Sequence, residues 1–254
     1  MTAQVLTAPP VSKLAEATRD DFPFVPPIGT VVVWHARAAS SSGIVPWREL
    51  LVPAECDRAD RIRHEQTKAD FVTARTHLRV ILGQCLGVAP SHVVLRAAAQ
   101  GKPFLPDWQN PWRLKFNVSH ADGHILIALT RVLEIGVDVE PVRSLPDMDA
   151  VAREVMTHEE HFLYDISAGK KPETFFRVWT RKEAILKAAG CGLQHSLRQT
   201  ESLLRRVAIQ RQTRTEQPAT MLCRLQSFDT QTGALGAIAA CGGEFQLQHL
   251  RVDG

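Results

Sequence analysis

Two carboxylates, Asp138 and Glu140, are the first side chains whose type and spacing suit chemistry. They flank Val139 in an apolar run that predicts a strand, and the two-residue period of a strand directs both carboxylates to one face. Two like charges this close need a cation or a shared proton, and their oxygens suit a hard divalent ion such as Mg²⁺. A solvated edge strand explains an isolated pair more simply. The pair alone therefore decides nothing about function.

Glu183 and Lys187 form a second pair, four residues apart in a pattern typical of a helix. On a helix they share a face, and such a pair ordinarily contributes about 0.2 to 0.5 kcal/mol of helix stability and no function. The functional interpretation is a third carboxylate, for the same ion or for proton abstraction, with the ammonium group of Lys187 directed at a phosphate.

The stretch FNVSHADG, residues 116–123, places a hydroxyl beside an imidazole in Ser119 and His120. We expect a turn here, in which backbone amides, the hydroxyl and the imidazole converge on an oxyanion. A serine-hydrolase pair is disfavoured, because adjacent residues rarely aim at each other and no G-x-S-x-G elbow surrounds the serine.

A basic helical block precedes these motifs. Its arginines and lysines are interleaved with acids, so a solvated helix face explains most of them. A phosphate site needs only two or three of them, and the guanidinium fork matches phosphate geometry well. The basic residues of the block are Arg58, Arg61, Arg63, Lys68, Arg75 and Arg79.

Composition limits the classes of function. The chain has 254 residues, of which 44% are hydrophobic and 22% charged, and its formal net charge of +3 gives little reason to expect nucleic-acid binding. No apolar run approaches the ~18 residues of a membrane span, and no secretory signal is recognisable. We therefore expect a cytoplasmic protein that binds neither nucleic acid nor a membrane.

The expected compartment also bears on the N-x-S sequon at Asn117 and on the cysteines. Glycosylation takes place in the secretory pathway, so the sequon is set aside, and Phe116 and Asn117 are interpreted as packing and turn residues. The five cysteines form no C-x-x-C pair and are odd in number, which suits a reducing compartment and gives no zinc pattern. Most of them are expected to be small, buried, apolar residues.

The elements that must position these residues follow from periodicity. Residues 1–29 carry five prolines without periodicity and are interpreted as a loosely packed arm. One long helix or two consecutive helices are predicted from Cys56 to Leu86, with Gly87 as the stop. Strands are predicted at residues 31–34, 92–96, 114–118, 125–129 and 134–140.

Helices and strands alternate again after residue 140. Thr157-x-x-Glu160 has the form of a capping box, which starts a helix. A second helix is predicted from Lys171 to a glycine stop at Gly190, and strands follow to the end of the chain.

The two parts of the chain show a similar succession of strand, helices and late apolar strand. The late strands read GHILIALT in one part and GALGAIAAC in the other. The predicted fold class is therefore α+β, with an arm at 1–29 followed by two related halves at 30–133 and 134–254.

Each motif alone is weak, yet their order is specific. GKPFLP, FNVSHADG, IGVDVEPVR and FFRVWTRKEAILKAAGCGL follow one another between residues 101 and 193. In this order they closely resemble the 4′-phosphopantetheinyl transferases of the Sfp type. The block from Arg58 to Leu82 is compatible with that family, whereas the arm and the segment after Leu193 carry none of its diagnostic residues.

The resemblance implies an activity and a fold. Members of the family move the phosphopantetheine of coenzyme A to a serine of an apo carrier protein (acyl, peptidyl or aryl) and release adenosine 3′,5′-bisphosphate. They have a pseudo-twofold pair of similar α/β halves with the active site in the cleft between them, which favours a monomer. A different Mg²⁺-dependent phosphoryl-group enzyme and a non-enzymatic binder of carrier proteins or coenzyme A stay open as alternatives.

The resemblance also implies residue roles. Asp138, Glu140 and Glu183 resemble the magnesium ligands of the family, and Glu183 is the expected general base for the carrier serine. Lys187 resembles the family's lysine near the pyrophosphate and is expected to take part in catalysis. The residues expected to bind coenzyme A, the last three at its 3′-phosphate and adenosine end, are Ser119, His120, Lys187, Lys102, Arg75 and Arg63.

Overall fold

The computed structural model of the chain describes residues 5–8, 25–38, 47–191, 197–211, 219–230 and 233–252. These residues combine six α-helices with two larger sheets and a short two-stranded one, so the predicted α+β class is confirmed. The helices are α1 (Trp47–Leu50), α2 (Pro53–Arg61), α3 (Glu65–Leu86), α4 (Met148–Val155), α5 (His158–Ile166) and α6 (Lys171–Ala189). The strands are β1 (Val5–Ala8), β2 (Thr30–Arg37), β3 (Arg96–Ala97), β4 (Pro103–Phe104), β5 (Leu114–Ala121), β6 (His124–Arg131), β7 (Glu134–Pro141), β8 (Arg206–Arg211), β9 (Ala219–Asp229), β10 (Ala234–Cys241) and β11 (Gln246–Val252).

The first sheet has the strand order β1-β11-β2-β6-β5. β5 and β6 form a hairpin that closes through Asp122 and Gly123, whose φ values of 45° and 82° are the left-handed pair that a two-residue turn requires. β2 runs antiparallel to β6, while β11 runs parallel to both β2 and β1. The last strand therefore returns to the sheet that holds the first ones.

The second sheet is antiparallel throughout, in the order β7-β10-β9-β8. α3 covers one face of the first sheet with residues such as Leu78, and α6 covers one face of the second with residues such as Ile185. A third apolar layer, which includes Val33 and Ile238, lies between the sheets. Two helices thus enclose two sheets that pack against each other.

Most local predictions are confirmed. The region from Cys56 to Leu86 forms the two helices α2 and α3, and Gly87 ends α3 with a φ of 67°. Thr157 and Glu160 form the predicted capping box of α5. α6 ends at Gly190, and four of the five predicted strands lie within β2, β5, β6 and β7.

The strand predicted at residues 92–96 is wrong. A 3-10 turn ends at His92, and only the two residues of β3 pair after it. The guanidinium of the buried Arg79 donates to the carbonyl oxygens of Pro90 and Val93 at 2.9 and 2.8 Å. These carbonyl oxygens bind a helix side chain. The sheet ladder in this region is therefore limited to the two residues of β3.

The interpretation of the N-terminal segment as a loosely packed arm is wrong for β1. This strand pairs in parallel with β11 from the other end of the chain, an association that local composition does not reveal. Residues 1–4 and 9–24 of the expected arm lie outside the described residues.

Cys223 and Cys241 form a disulfide between β9 and β10. They lie opposite each other in the register of the two strands, and both are buried. The disulfide differs from the expectation of unpaired cysteines in a reducing compartment. The two cysteines are brought together by the register of β9 and β10, which their spacing along the chain does not reveal. Cys56, Cys85 and Cys191 are not disulfide-bonded.

The two sheets do not coincide with the two halves expected from the sequence, since β11 belongs to the segment 134–254 but lies in the first sheet. The boundary near residue 133 and the twofold relation between the halves stay predictions. Within the described ranges, none of the helices combines the length and apolar character needed to cross a bilayer.

Candidate functional site

Three of the predicted site residues, Ser119, Asp138 and Lys187, meet where the two sheets adjoin. The edge strand β5 of the first sheet runs beside the edge strand β7 of the second, and Oδ1 of the buried Asn117 accepts a hydrogen bond from the N–H of Val137 at 2.9 Å. The Asn117 side chain thus links the edge strands of the two sheets, as a backbone hydrogen bond links neighbouring strands within one sheet. The interpretation of Asn117 as a packing and turn residue misses this role, because its partner lies on another sheet.

Asp138 is the centre of the site. Oδ1 of this carboxylate, whose residue is 4% exposed, accepts hydrogen bonds from Ser119 Oγ at 2.8 Å and from Lys187 Nζ at 2.6 Å. Lys187 Nζ also lies 3.2 Å from Ser119 Oγ. These three side chains, from β5, β7 and α6, are called the Asp138 cluster below.

The second carboxylate oxygen of Asp138, Oδ2, is buried and has no hydrogen-bond partner among the described residues. A buried acceptor without a partner costs about 1–3 kcal/mol, more if it carries charge. Such an atom marks a position at which a cation or a donor group from a ligand fits.

The pKa values show that three carboxylates share this environment. Burial raises the pKa of Asp138, although Lys187 and Ser119 oppose the shift. Burial and then the charge of Asp138 raise the pKa of Glu140, and burial raises the pKa of Glu183, where Lys187 opposes the shift and Asp138 adds to it. All three groups therefore resist ionisation because they are desolvated, Glu140 and Glu183 also face the like charge of Asp138, and a cation removes both penalties.

The predicted metal ligands are close enough to influence one another but do not converge on one point. Glu140 accepts a hydrogen bond from Arg143 at 3.1 Å, and Oδ1 of Asp138 is taken by Lys187. In the part of the chain that the structure describes, no group of three His, Cys, Asp or Glu side chains has the arrangement of a metal site.

α6 delivers Glu183 and Lys187 to the cluster because it approaches β7 closely. A Cβ at Gly136 would collide with the carbonyl oxygen of Ala184 and the backbone nitrogen of Ala188, so only glycine permits this approach. The signal was present in the sequence as the glycine that precedes the D-x-E pair, but it gains its meaning only from the packed helix.

Lys182, next to Glu183, has a structural environment. Its ammonium group lies 2.7 Å from Glu160 with both side chains 0% exposed, and it donates to the carbonyl oxygens of Leu197 and Thr200 at 2.8 and 2.6 Å. α6 is thereby bound to α5 and to the segment after residue 196. This network fixes the rotation of α6 and so the direction of Glu183.

Ser119 and His120 lie on the strand β5, which continues to Ala121. The turn follows at Asp122 and Gly123 and does not contain them, although the sequence predicted that it would. Ser119 is buried in the Asp138 cluster, whereas His120 is exposed. The expected convergence of the two side chains is wrong, because successive strand residues point to opposite faces.

His120 nevertheless has a basic environment. Desolvation lowers its pKa first; the charges of Lys187, Arg58 and Arg75 lower it further, and Asp70 opposes them. The structure therefore brings His120 within electrostatic reach of the predicted Lys187 and Arg75, and of Arg58 as well.

Asp70 holds the hairpin that carries these residues. Its buried carboxylate accepts hydrogen bonds from the N–H of Gly123 at 3.1 Å and from Gln66 Nε2 at 2.8 Å. α3 is thus tied to the β5–β6 turn. Sequence reasoning treated this acid only as part of a solvated face.

The arginines of the basic block have different surroundings. Arg79 is buried and donates to both oxygens of Glu55 at 2.5 and 3.1 Å. Arg75 lies 3.5 Å from the same carboxylate. Arg63 is exposed between α2 and α3 and forms no hydrogen bond or ion pair within the described ranges. Arg75 is therefore near the other predicted ligands, and the structure does not bring Arg63 to them.

Lys102 supports the site by binding to the backbone of β7 and α6. Its Nζ donates to the carbonyl oxygens of Ile135 and Lys187 at 2.8 Å each and lies 3.8 Å from Glu134. The β3–β4 hairpin is thereby attached to β7 and α6. A cavity of about 360 Å³ beside Lys102 lies between this hairpin, the start of β5 and the end of α6.

Comparison with known proteins leads to the same region. Residues 134–239, from β7 into β10, match the family described as the 4′-phosphopantetheinyl transferase superfamily. This part of the chain is similar to that superfamily. The resemblance predicted from the motifs is confirmed, and the superfamily region contains Asp138, Glu140, Glu183 and Lys187.

Several phosphopantetheinyl transferases are similar in sequence. The chain is 36% identical over 140 residues to the 4′-phosphopantetheinyl transferase HetI of Nostoc sp. strain PCC 7120, covering 55% of this chain and 59% of HetI. It is 34% identical to the 4′-phosphopantetheinyl transferase AcpT of Escherichia coli, over 44% of this chain and 55% of AcpT. It is 27% identical to the human L-aminoadipate-semialdehyde dehydrogenase-phosphopantetheinyl transferase, over 59% of this chain and 51% of that protein.

The chain thus spans between half and three fifths of the length of these curated relatives. A solved structure, the holo-[acyl-carrier-protein] synthase of Thermotoga maritima, is 17% identical with a TM-score of 0.30, over 45% of this chain and 66% of that one.

Proposed function

We propose that this chain transfers the 4′-phosphopantetheine group of coenzyme A to a serine of an apo acyl, peptidyl or aryl carrier protein. The observation that supports it best is the Asp138 cluster, in which a buried carboxylate with one unpaired oxygen meets a hydroxyl and an ammonium group. The cluster extends the superfamily region with a residue of the first sheet. It lies beside two further carboxylates, Glu140 and Glu183.

The pyrophosphate of coenzyme A is assigned to Lys187 and Ser119. An ammonium group and a hydroxyl that already contact one carboxylate oxygen are placed to donate to phosphate oxygens instead. His120 and Arg75 are assigned to the 3′-phosphate, because Arg75 lies within electrostatic reach of His120. Arg63 and Lys102 stay predictions of the sequence for the same end of the coenzyme.

A Mg²⁺ site is assigned to Asp138, Glu140 and Glu183. The residues fit this ion: Oδ2 of Asp138 is buried without a partner among the described residues, burial raises the pKa of all three carboxylates, and the charge of Asp138 adds to the shift of Glu140 and Glu183. When bound, the ion would neutralise charge on the pyrophosphate.

Glu183 is the proposed general base. Its carboxylate takes the proton of the carrier serine while the serine oxygen attacks the phosphorus that bears pantetheine. The new bond from serine oxygen to phosphorus replaces the bond to the bridging oxygen, which leaves with its electron pair as part of adenosine 3′,5′-bisphosphate. Burial raises the pKa of Glu183 and outweighs the opposing charge of Lys187, and Asp138 adds to the rise, which makes this carboxylate a stronger base.

The proposed partners are apo carrier proteins and coenzyme A, with action in the cytoplasm as a monomer and without nucleic acid or membrane. The test incubates the protein with coenzyme A, Mg²⁺ and apo carriers from fatty-acid, polyketide and peptide synthesis. A mass increase of one phosphopantetheine on a carrier and release of adenosine 3′,5′-bisphosphate are expected. No mass increase on any carrier, or release of inorganic phosphate or pyrophosphate instead, would overturn the proposal.

A further inference from the structure

Polar side chains join β5 to β7 at three places along the two strands. The side chains from β5 are two residues apart and so lie on one face of that strand, the face towards β7. Their partners follow in the same order along β7, so the two strands run in the same direction. The contacts, called the β5–β7 seam below, are Lys115 Nζ with Glu134 Oε1 at 2.7 Å, Asn117 Oδ1 with the N–H of Val137 at 2.9 Å, and Ser119 Oγ with Asp138 Oδ1 at 2.8 Å.

The middle contact of the seam is buried and reaches the backbone. Asn117 is 5% exposed and Val137 is 0% exposed. The ion pair of Lys115 with Glu134, by contrast, has side chains that are 40% and 28% exposed, and a pair of this kind constrains the structure little. A buried N–H needs an acceptor, and the carboxamide of Asn117 supplies it to β7. This contact therefore fixes where the backbone of β7 lies against β5.

The two edge strands need such a directional contact. The backbone of β5 pairs with β6 and that of β7 with β10, so the ladders do not position the two strands relative to each other. The apolar layer between the sheets, which includes Val33 and Ile238, attracts them, but hydrophobic attraction has no direction and does not select one register. A hydrogen bond has a narrow range of distance and angle and therefore does select it.

The proposed phosphate site is divided across the seam. Ser119 comes from the first sheet, whereas Asp138 and Lys187 are held together on the second, since α6 packs closely against β7. Val137, the partner of Asn117, directly precedes Asp138, and Asn117 lies two residues before Ser119. A shift of β5 along β7 would separate Ser119 Oγ from Asp138 Oδ1 and Lys187 Nζ, which lie 2.8 and 3.2 Å away.

We infer that Asn117 is a positioning residue for the proposed transfer, because it aligns Ser119 with Asp138 and Lys187. It acts through the backbone of Val137 and needs no contact with a substrate. Misplacement of a substrate-binding group by about 1 Å costs about a hundredfold in rate, so this alignment matters for the reaction as well as for the fold. The inference rests on the proposed function and adds to it a residue that the sequence indicated only as a packing and turn residue.

The test is a double-mutant cycle between Asn117 and Ser119, measured as kcat/KM for carrier modification. Asn117→Leu keeps the size of the side chain and removes the acceptor, and a loss of about 10- to 100-fold is expected. If the loss arises because Ser119 is misplaced, it disappears once the Ser119 hydroxyl is absent, so Asn117→Leu should cost less than about threefold in the Ser119→Ala background. Lys115→Met breaks the exposed contact of the same seam and is the matched control, expected within about twofold of the unaltered protein.

Equal losses from Asn117→Leu in both backgrounds would show a merely structural effect and overturn the inference, as would an unchanged kcat/KM in Asn117→Leu itself. The melting temperature of each variant checks folding, and Asn117→Ser, which leaves a shorter polar side chain, takes the place of Asn117→Leu if the leucine variant does not fold. Neither outcome affects the proposed function, which fails instead if the unaltered protein modifies no carrier. If that protein still binds coenzyme A, the same cycle in dissociation constants, measured by calorimetry with coenzyme A, tests the inference alone.

Discussion

The two carboxylate oxygens of Asp138 have opposite surroundings. Oδ1 is held by Ser119 and Lys187, whereas the buried Oδ2 has no partner among the described residues. One residue can therefore position the groups that bind phosphate and offer an oxygen to a cation at the same time. A substitution at Asp138 can therefore remove the charge of the side chain while keeping one of its hydrogen-bond acceptors.

Asp138→Asn keeps the size and one acceptor of the side chain but removes its charge. We expect transfer to fall about a hundredfold or more, and the dependence on Mg²⁺ concentration to weaken, because a neutral amide is a poor ligand for a hard cation. The measurement is the rate of carrier modification over a magnesium titration, with the melting temperature as a check on folding. A normal rate with a normal magnesium dependence would remove Asp138 from the proposed ligand set.

Glu183→Gln tests proton transfer. We expect kcat to fall by about 10²–10⁴ while the dissociation constant for coenzyme A changes little, since the amide cannot accept the proton but leaves most ligand contacts intact. Single-turnover kinetics and calorimetry measure the two quantities. Glu173→Gln, the same change at a partly exposed position of α6 where the carboxylate pairs with Arg177, is the control and should behave like the unaltered protein in both measurements. A loss confined to coenzyme A binding contradicts the role of base.

At the scale of elements, the position of α6 decides the site. Gly136 lets its backbone approach β7, Lys102 attaches its last turn to the β3–β4 hairpin, and the buried pair of Lys182 with Glu160 fixes its rotation. None of these residues needs to touch a substrate. Together they determine where Glu183 and Lys187 point.

Lys182→Met should strongly reduce stability. It removes the cation but leaves the Glu160 carboxylate fully buried, and such an uncompensated charge costs about 3–5 kcal/mol in free energy of unfolding. Lys171→Met, the same change on the same helix, removes solvent-accessible pairs with Asp149 and Asp165 and a cation–π contact with Tyr164, and a loss of no more than about 1–2 kcal/mol is expected. Urea denaturation of both variants measures the difference, and similar losses would show that the buried pair has no special weight.

At the scale of the whole molecule, the first sheet is completed by strands from both ends of the chain. β11 lies between β1 and β2, and its His249 accepts or donates a hydrogen bond with His35 of β2 at 2.8 Å. Phe228 of the second sheet contacts both imidazoles edge-on. This group therefore lies at a joint where the C-terminal strand, the first sheet and the second sheet meet.

Acidification should weaken this joint. Burial and then His249 lower the pKa of His35 to about 4, and burial lowers the pKa of His249. The folded pKa values lie below the unfolded value of about 6.5, so the unfolded chain binds more protons. The contribution to stability is complete above about pH 6.5 and is lost as the pH falls towards 4.

The free energy of unfolding, measured by urea at pH 7 and at pH 5, should therefore decrease on acidification. His35→Gln should reduce that decrease, because the glutamine cannot be protonated. His158→Gln, at an exposed position, should leave the decrease unchanged. An equal pH dependence in all three proteins would show that the imidazole pair is not responsible.

The wrongly predicted strand at residues 92–96 shows that a local sequence pattern is not sufficient to predict a strand. Its β-branched residues have the composition of a strand, but the carbonyl oxygens of Pro90 and Val93 are claimed by Arg79 from α3. Helix caps and the β5–β6 turn were predictable because all their atoms lie within a few residues. Sheet partners were not, since each depends on how distant segments close.

The sequence alone determined the spacings that chemistry needs, the helices and caps that carry them, and the order of motifs that resembles the superfamily. The two-residue period of a strand predicted that Asp138 and Glu140 share one strand face. The interval of four residues predicted that Glu183 and Lys187 share one helix face. The tertiary structure alone decided that Ser119 meets Asp138 across two sheets and that Arg79 is structural. The physical reason is that these pairings depend on register and packing between segments far apart in the chain, which local periodicity does not encode.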